Sequence, residues 1–213
     1  PFADLGAYFP GAGVSPRDMF ALWRFVEERC EDMDEFYARD FVGHDDTAPY
    51  FFRRGHRGAS YLPRLRRTDR RCADIGLGTP ETVYKLIGPK QVGLGSLSGM
   101  LVMQRLRDRP GGLSVWPAEG RNARSVCVDI FPRAFLRRAT RSTRKVNSVD
   151  DLNTVLEFYD SAAIAPGDLI DRARFGDQAD AVVSAAALRV LSRDAAFWDP
   201  PGLTDAVRHT EGW

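Results

Sequence analysis

Residues 125–133 read Ser-Val-Cys-Val-Asp-Ile-Phe-Pro-Arg, and residues 176–185 read Gly-Asp-Gln-Ala-Asp-Ala-Val-Val-Ser-Ala. The first stretch is a short β-branched and aromatic run that stops at Pro132. Strand alternation puts Val126, Val128 and Ile130 on one face, with Cys127, Asp129 and Phe131 on the other. Aspartate is disfavoured inside a strand unless it is paired or coordinating, which singles out Asp129. The second stretch opens an alanine-rich helix on which Asp177 and Asp180, at i and i+3, share a face near Ser184. A strand-end carboxylate facing helix carboxylates suits a hard divalent ion, Mg²⁺ or Mn²⁺ rather than zinc. A plain alternative stays open: an acid in a first helical turn, as Asp177 is, also answers the helix dipole.

The chain has 213 residues, 44% of them hydrophobic and 28% charged, which is enough to bury the core of one globular domain. A formal net charge of +1 excludes a generally basic coat, so any nucleic-acid surface has to be local. No run approaches the roughly 18 apolar residues of a membrane span, and no charged-then-apolar leader opens the chain. Cys30, Cys72 and Cys127 are odd in number and far apart, without a CxxC pair. Neither a zinc ribbon nor a disulfide framework is expected, and the expected setting is reducing and cytoplasmic. The start at Pro1 without a methionine and the finish on Glu-Gly-Trp read as the ends of a fragment whose first strands are missing.

Between these ends, residues 1–14 read as a Gly/Pro-rich loop leaving a strand end. Ser15 is expected to cap a helix with Pro16 at its first position and Asp18 in its first turn, running to about residue 30. An acidic helical piece over 31–39 follows. Residues 43–80 lose periodicity and read as a long Arg-rich insertion or lid. Val83–Ile87 is expected as a short strand or a loop start, and the glycine-rich run from Gly88 as a turn into a helix at about 97–108. Residues 113–116 and 125–131 read as two strands joined by the polar turn 119–124, a hairpin. Ser148 caps a further helix, and the last runs from about 176 to 194.

The second chemical feature is a cluster of arginines: Arg53, Arg54, Arg57, Arg64, Arg66, Arg67, Arg70 and Arg71, opposed only by Asp69. Tyr50, Phe51, Phe52 and Tyr61 are interleaved with them. Guanidinium forks suit phosphate and aromatic faces suit unstacked bases, which makes the cluster a candidate nucleic-acid surface. A solvated loop would carry the same composition. Gly93, Gly95 and Gly99 match neither a dinucleotide fingerprint nor a P-loop, and tight turn packing accounts for them. His44, His56 and His209 are too scattered for zinc, although His44 beside Asp45 and Asp46 leaves an acid–base role open. No serine has a nucleophile-elbow context.

Taken in order, LSVWPAEG, SVCVDIFPRAF, GDQADAVVSAAAL and the terminal EGW resemble an uncharacterised family of predicted ribonuclease H-like nucleases, a domain of unknown function. The likeness extends to the PF start, to QVGLGSLSGM, to Val128–Arg133 against a V-E-I-Y-P-R strand motif, and to Asp177–Ala181 against D-x-x-D-A. The resemblance implies a ribonuclease H-like α/β fold, a mixed sheet flanked by helices. In this partial chain of one domain, 1–213, with its insertion at about 43–80, it implies a helix-rich structure with few strands. It further implies phosphodiester hydrolysis by two carboxylate-held divalent ions roughly 4 Å apart. Asp129 and Asp180 would be direct ligands, and Asp177 a ligand or a supporting group. Two departures bear on this. The family's strand acid is usually Glu where this chain has Asp129, and the acids expected upstream of Pro1 are absent. The chain as it stands is therefore expected to hold metal weakly and not to turn over. The other readings are a non-catalytic nucleic-acid-binding protein and a structural α/β domain.

Overall fold

The computed structural model describes residues 2–30, 37–86, 93–121, 123–142, 144–168 and 175–212. These residues form two compact units. The first comprises residues 1–70, 80–129 and 203–213, and the second residues 71–79 and 130–202. Described elements are mixed α/β and helix-rich, with short strands in two two-stranded sheets. No helix among the described residues is long and apolar enough to cross a membrane.

The first unit is built around aromatic rings. Phe9 lies at the centre, with ring centroids 5.3–6.2 Å from those of Phe25, Phe41, Tyr50, Phe51 and Tyr84. Such tilted and edge-on pairs add to the burial of large apolar area. Two helices carry the apolar wall, α2 (Met19–Glu27) and α5 (Gly93–Arg107), which pack on each other and contribute Leu22, Phe25, Val26, Leu97 and Leu101. Helix α2 starts later than the sequence suggests. Asp18 is its N-cap, accepting from the Ala21 amide at 2.7 Å, while Ser15 Oγ accepts from the Phe9 amide at 2.9 Å. Two capping residues stood within four positions, and tertiary packing assigned one to the helix and the other to the loop.

Other expectations change in this unit. Residues Phe2–Leu5 form a helical turn, α1, with Phe2 in the core rather than in a loop. Helix α5 starts earlier than about residue 97: Gly93 opens it, and Gly95 and Gly99 lie within it. A Cβ on Gly93 would stand 3.0 Å from both Leu86 Cδ2 and the Lys85 carbonyl, so close packing is the reason for that glycine. The first part of the expected glycine-rich turn, residues 88–92, and most of the helical piece at 31–39 lie outside the described residues. Helix α3 is Arg39–Gly43.

The stretch 43–80 is not without regular structure. After a 3₁₀ turn at Ala48–Tyr50, strands β1 (Phe52–Arg53) and β2 (His56–Arg57) pair antiparallel across Arg54–Gly55, with Gly55 at φ 71°. A positive φ in a two-residue loop matches the twist of the flanking strands and favours glycine. Phe52 also exchanges backbone bonds with the 84–86 segment, its amide donating to Tyr84 and its carbonyl accepting from Leu86, each at 2.9 Å. Helix α4 (Arg67–Asp74) follows, and the boundary between the units falls within it.

The expected hairpin at 113–131 is instead a parallel pair: β3 (Ser114–Val115) runs alongside β4 (Val126–Cys127) in register Ser114↔Val126. The loop explains the difference. Glu119 takes the Val115 amide with one carboxylate oxygen at 2.9 Å and Arg107 Nε with the other at 2.6 Å, which folds the polar segment back over β3. Asp129 thus lies just beyond a two-residue strand rather than inside a longer one.

The second unit is a packing of three helices, α6 (Pro132–Thr140), α7 (Val149–Phe158) and α8 (Phe175–Leu191). Pro132 occupies the first helical position, where its missing N–H costs nothing, so it opens α6 rather than merely ending a strand. Ser148 caps α7 as its position suggests, accepting from the Asp151 amide at 3.1 Å. Ala179, Ala186 and Ala187 present small side chains to Leu152, Val155, Leu156 and Tyr159 in one core. The Tyr159 hydroxyl donates to the Phe135 carbonyl at 2.8 Å. Helix α9 (Asp205–Thr210) belongs to the first unit and packs on α1.

Candidate functional site

Asp129 is exposed at the end of β4, but its carboxylate already has a cation. Arg66 Nη1 donates to Asp129 Oδ2 at 2.7 Å. The same guanidinium donates through Nε and Nη2 to the two oxygens of Asp69, at 3.2 and 3.0 Å, and the Arg66 amide donates to Asp69 Oδ2 at 2.9 Å. Asp69 is only 2% exposed, so Arg66 supplies the charge that makes its burial tolerable. Burial by itself would pull the Arg66 pKa down. Asp129 and Asp69 outweigh it, by charge and by hydrogen bonding, and the net shift is upward.

Glu211 joins the same network, its carbonyl accepting from Arg66 Nη1 at 3.4 Å. Buried Glu211 accepts from the Ala3 amide at 2.9 Å through Oε1 and from the Arg67 amide at 2.5 Å through Oε2. The Arg67 side chain donates to Asp4 at 2.7 Å. One carboxylate therefore ties the starts of α1 and α4 to the end of α9. Sequence reasoning placed no role on Glu211 or on buried Asp69. The partners of Glu211 lie 144 and 208 positions away, beyond any local signal, whereas Asp69 meets Arg66 at i,i+3 and only its burial was hidden.

Asp177 and Asp180 lie in the second unit, one turn apart at the start of α8, both exposed. The structure brings these two together, and Asp129 stands with Arg66 in the first unit. The Asp180 carboxyl is shifted up. Protein packed around it displaces water and raises it, Lys145 lowers it, Asp177 raises it, and Arg133 lowers it. The Ser184 hydroxyl donates back to the Asp180 carbonyl at 2.6 Å, within its own helix.

These donors fit a divalent ion only in part. Asp177 and Asp180 offer two hard oxygen ligands on one helix face, whereas Asp129 would have to exchange a guanidinium for a metal. Among the described residues no group of three or more His, Cys, Asp or Glu side chains is arranged to hold a metal ion. An open cleft of about 620 Å³ beside α7, with Asp150, Glu157 and Asp160 on its wall, includes neither Asp177 nor Asp180.

The arginine cluster divides by role. Arg66 and Arg67 are engaged in the ion pairs just described, and Arg64 hydrogen-bonds Tyr84, whose hydroxyl is pushed up by burial despite that cation. Arg54 and Arg57 are exposed on the β1–β2 hairpin and Arg53 is half-buried there; Arg70 and Arg71 are exposed on α4. The Arg57 guanidinium carbon lies 5.2 Å from the centre of the Tyr61 ring, and that ring is 5.6 Å from Phe52. His44 makes a local contact with Asp46, its Nδ1 accepting from the Asp46 amide at 3.2 Å.

The chain matches no protein-family model, no curated protein and no solved structure.

Proposed function

We propose that this chain is a non-catalytic nucleic-acid-binding protein that takes single-stranded phosphate backbone on the β1–β2 hairpin of its first unit. The observation that carries this reading is the hairpin itself. Arg53, Arg54 and Arg57 sit within five residues around a tight turn, and Arg57 stacks over Tyr61, which in turn contacts Phe52. Guanidinium groups neutralise phosphates, and an aromatic face accepts a base of any sequence at about 1–3 kcal/mol per stacked base.

The test is fluorescence anisotropy with a labelled single-stranded oligonucleotide across a salt series. Binding is expected to weaken steeply with salt. Replacing Arg53, Arg54 and Arg57 together by Ala should make the log–log salt slope shallower by about two, at about 0.7 per single-strand phosphate contact. A triple variant with unchanged affinity and slope would sink the proposal.

A second reading, phosphodiester hydrolysis on the ribonuclease H-like pattern, is favoured by one observation: Asp177 and Asp180 are close enough for the charge of one to raise the pKa of the other. Mg²⁺ commonly uses one or two carboxylates and completes its shell with water and substrate phosphate, so these two residues would be the ones to hold it. Bound there, the ion would supply Lewis-acid stabilisation of a phosphoryl oxygen. Mg²⁺-dependent cleavage that is lost in Asp180→Asn would support this reading, and cleavage that persists in that variant would remove it.

A further inference from the structure

Residues 132–145, PRAFLRRATRSTRK, carry Arg133, Arg137, Arg138, Arg141, Arg144 and Lys145 and no acidic residue. Helix α6 and its left-handed C-cap at Arg141 (φ 55°) put Arg137 and Arg141 one helical turn apart. Together with Arg138 and Ser142 they line a cleft of about 360 Å³ whose other wall is the turn Ile75–Gly76–Leu77. Among the described residues no carboxylate lines this cleft. Like charges at i and i+4 destabilise a helix, and here a third cation adjoins them. The negative end of the helix dipole, equivalent to about half a charge, offsets only part of this.

Arg137 shows the consequence most directly. Its Nε is buried and has no hydrogen-bond partner, and its Nη1 reaches the Gly76 carbonyl only at 3.5 Å. A dry, unpaired guanidinium donor is costly, and among the described residues only Arg29 Nε shares that state. The turn is also held close to it: a Cβ on Gly78, at φ 126°, would stand 3.4 Å from Arg137 Nη1 and 3.0 Å from Phe131. The guanidinium is thus fixed between the helix and the turn.

We propose that this cleft of the second unit binds the phosphoryl group of a small phosphate monoester. A monoester is nearly dianionic at neutral pH and brings three acceptor oxygens to three guanidiniums, which engage phosphate as bidentate forks. The Ser142 hydroxyl adds a donor at the rim. Ile75 and Leu77 give an apolar wall for the ester's body. The volume lies near the lower end of small-molecule pockets, about 300–1,000 Å³, and suits a phosphate with one ring rather than a polymer.

The experiment is isothermal titration of the full chain with inorganic phosphate and with phenyl phosphate at constant ionic strength. Phenyl phosphate is expected to bind more tightly than inorganic phosphate, because only it reaches the apolar wall. Arg141→Glu and Arg138→Gln should each weaken it by about tenfold or more, the loss of a charge-assisted hydrogen bond. Arg193→Glu, an exposed change outside the cleft, should leave binding as it was. Circular dichroism identifies any variant that fails to fold, and Arg138→Gln keeps the result readable if Arg141→Glu disturbs the helix end. Retained binding in the hairpin triple variant separates this site from the nucleic-acid surface. Saturable binding absent up to about 10 mM of either phosphate, or unchanged in the folded cleft variants, overturns the proposal.

Discussion

Arg66 Nη1 stands 2.7 Å from Asp129 Oδ2 while the other nitrogens of the same guanidinium hold buried Asp69. The strand-end acid that attracts attention in the sequence is therefore one arm of an internal charge network. Its geometry separates two roles for one arginine: compensating a buried carboxylate and gripping an exposed one.

Removing Arg66 should be far more damaging than removing Asp129. Arg66→Met strands Asp69, which is 2% exposed, and is expected to cost about 3 kcal/mol, the low end for breaking a buried pair. Asp129→Asn breaks a contact with a half-exposed carboxylate and should cost less than about 1 kcal/mol. The double variant Arg66→Met/Asp69→Asn should recover part of the loss. Urea unfolding of the four proteins checks this, and equal losses for Arg66→Met and Asp129→Asn would contradict it.

Glu211→Gln should destabilise the chain by about 1–3 kcal/mol. Each Glu211 oxygen accepts from a backbone amide, Ala3 or Arg67, and an amide side chain has only one acceptor oxygen to offer. Its NH₂ would face a donor. Thermal unfolding measures the effect; a melting curve superimposable on the wild type would show that the carboxylate is dispensable.

Gly58 is needed for lack of space. A Cβ there would overlap the Pro49 carbonyl, and backbone cannot move aside as a flexible side chain can. Gly58→Ala should cost about 1–3 kcal/mol, the range for overpacking. Gly55→Ala, which meets no neighbour but holds φ 71°, should cost about 1–2 kcal/mol from conformation alone. Chemical denaturation of both proteins would distinguish the steric cost from the conformational one, the steric one being the larger.

Asp180 offers a pH test. Its carboxyl is raised in the folded chain, chiefly by loss of surrounding water, so the folded state favours the protonated form. A raised acid contributes stability that is fully present below the unfolded value of about 3.9 and is lost as pH rises through the folded value. Asp180→Asn should therefore be more stable than the wild type at pH 7, with the advantage vanishing below about pH 4. Melting temperatures measured between pH 3 and 8 would reveal an opposite trend if one exists.

Local signals were legible wherever a short segment contained its own explanation. Ser148 before an apolar helical stripe, the alanine-rich face of α8 and the paired Asp177 and Asp180 could all be read from residues three or four apart. The helix-rich character with few strands was an implication of the resemblance, and the described residues are helix-rich with few short strands. Competing local signals were not resolved: Asp18 and Ser15 are both good caps, and only the Phe9 loop, which takes the Ser15 hydroxyl, decided between them.

Local pattern along the chain accounts for α2, α5, α7 and α8, for the carboxylate pair on α8 and for the concentration of arginine at 53–71. Tertiary structure alone decided which of those arginines face outward. Arg66 was drawn inward by Asp69 and Asp129 and Arg67 was engaged at the surface by Asp4, leaving Arg54 and Arg57 exposed on a hairpin that periodicity did not announce. It also turned an expected hairpin at 113–131 into a parallel pair, because Glu119 claims the Val115 amide. The physical reason is common to both. A carboxylate takes the donors that the folded chain brings to hydrogen-bond distance: Asp69 and Asp129 share Arg66, and half-buried Glu119 takes Arg107 and the Val115 amide.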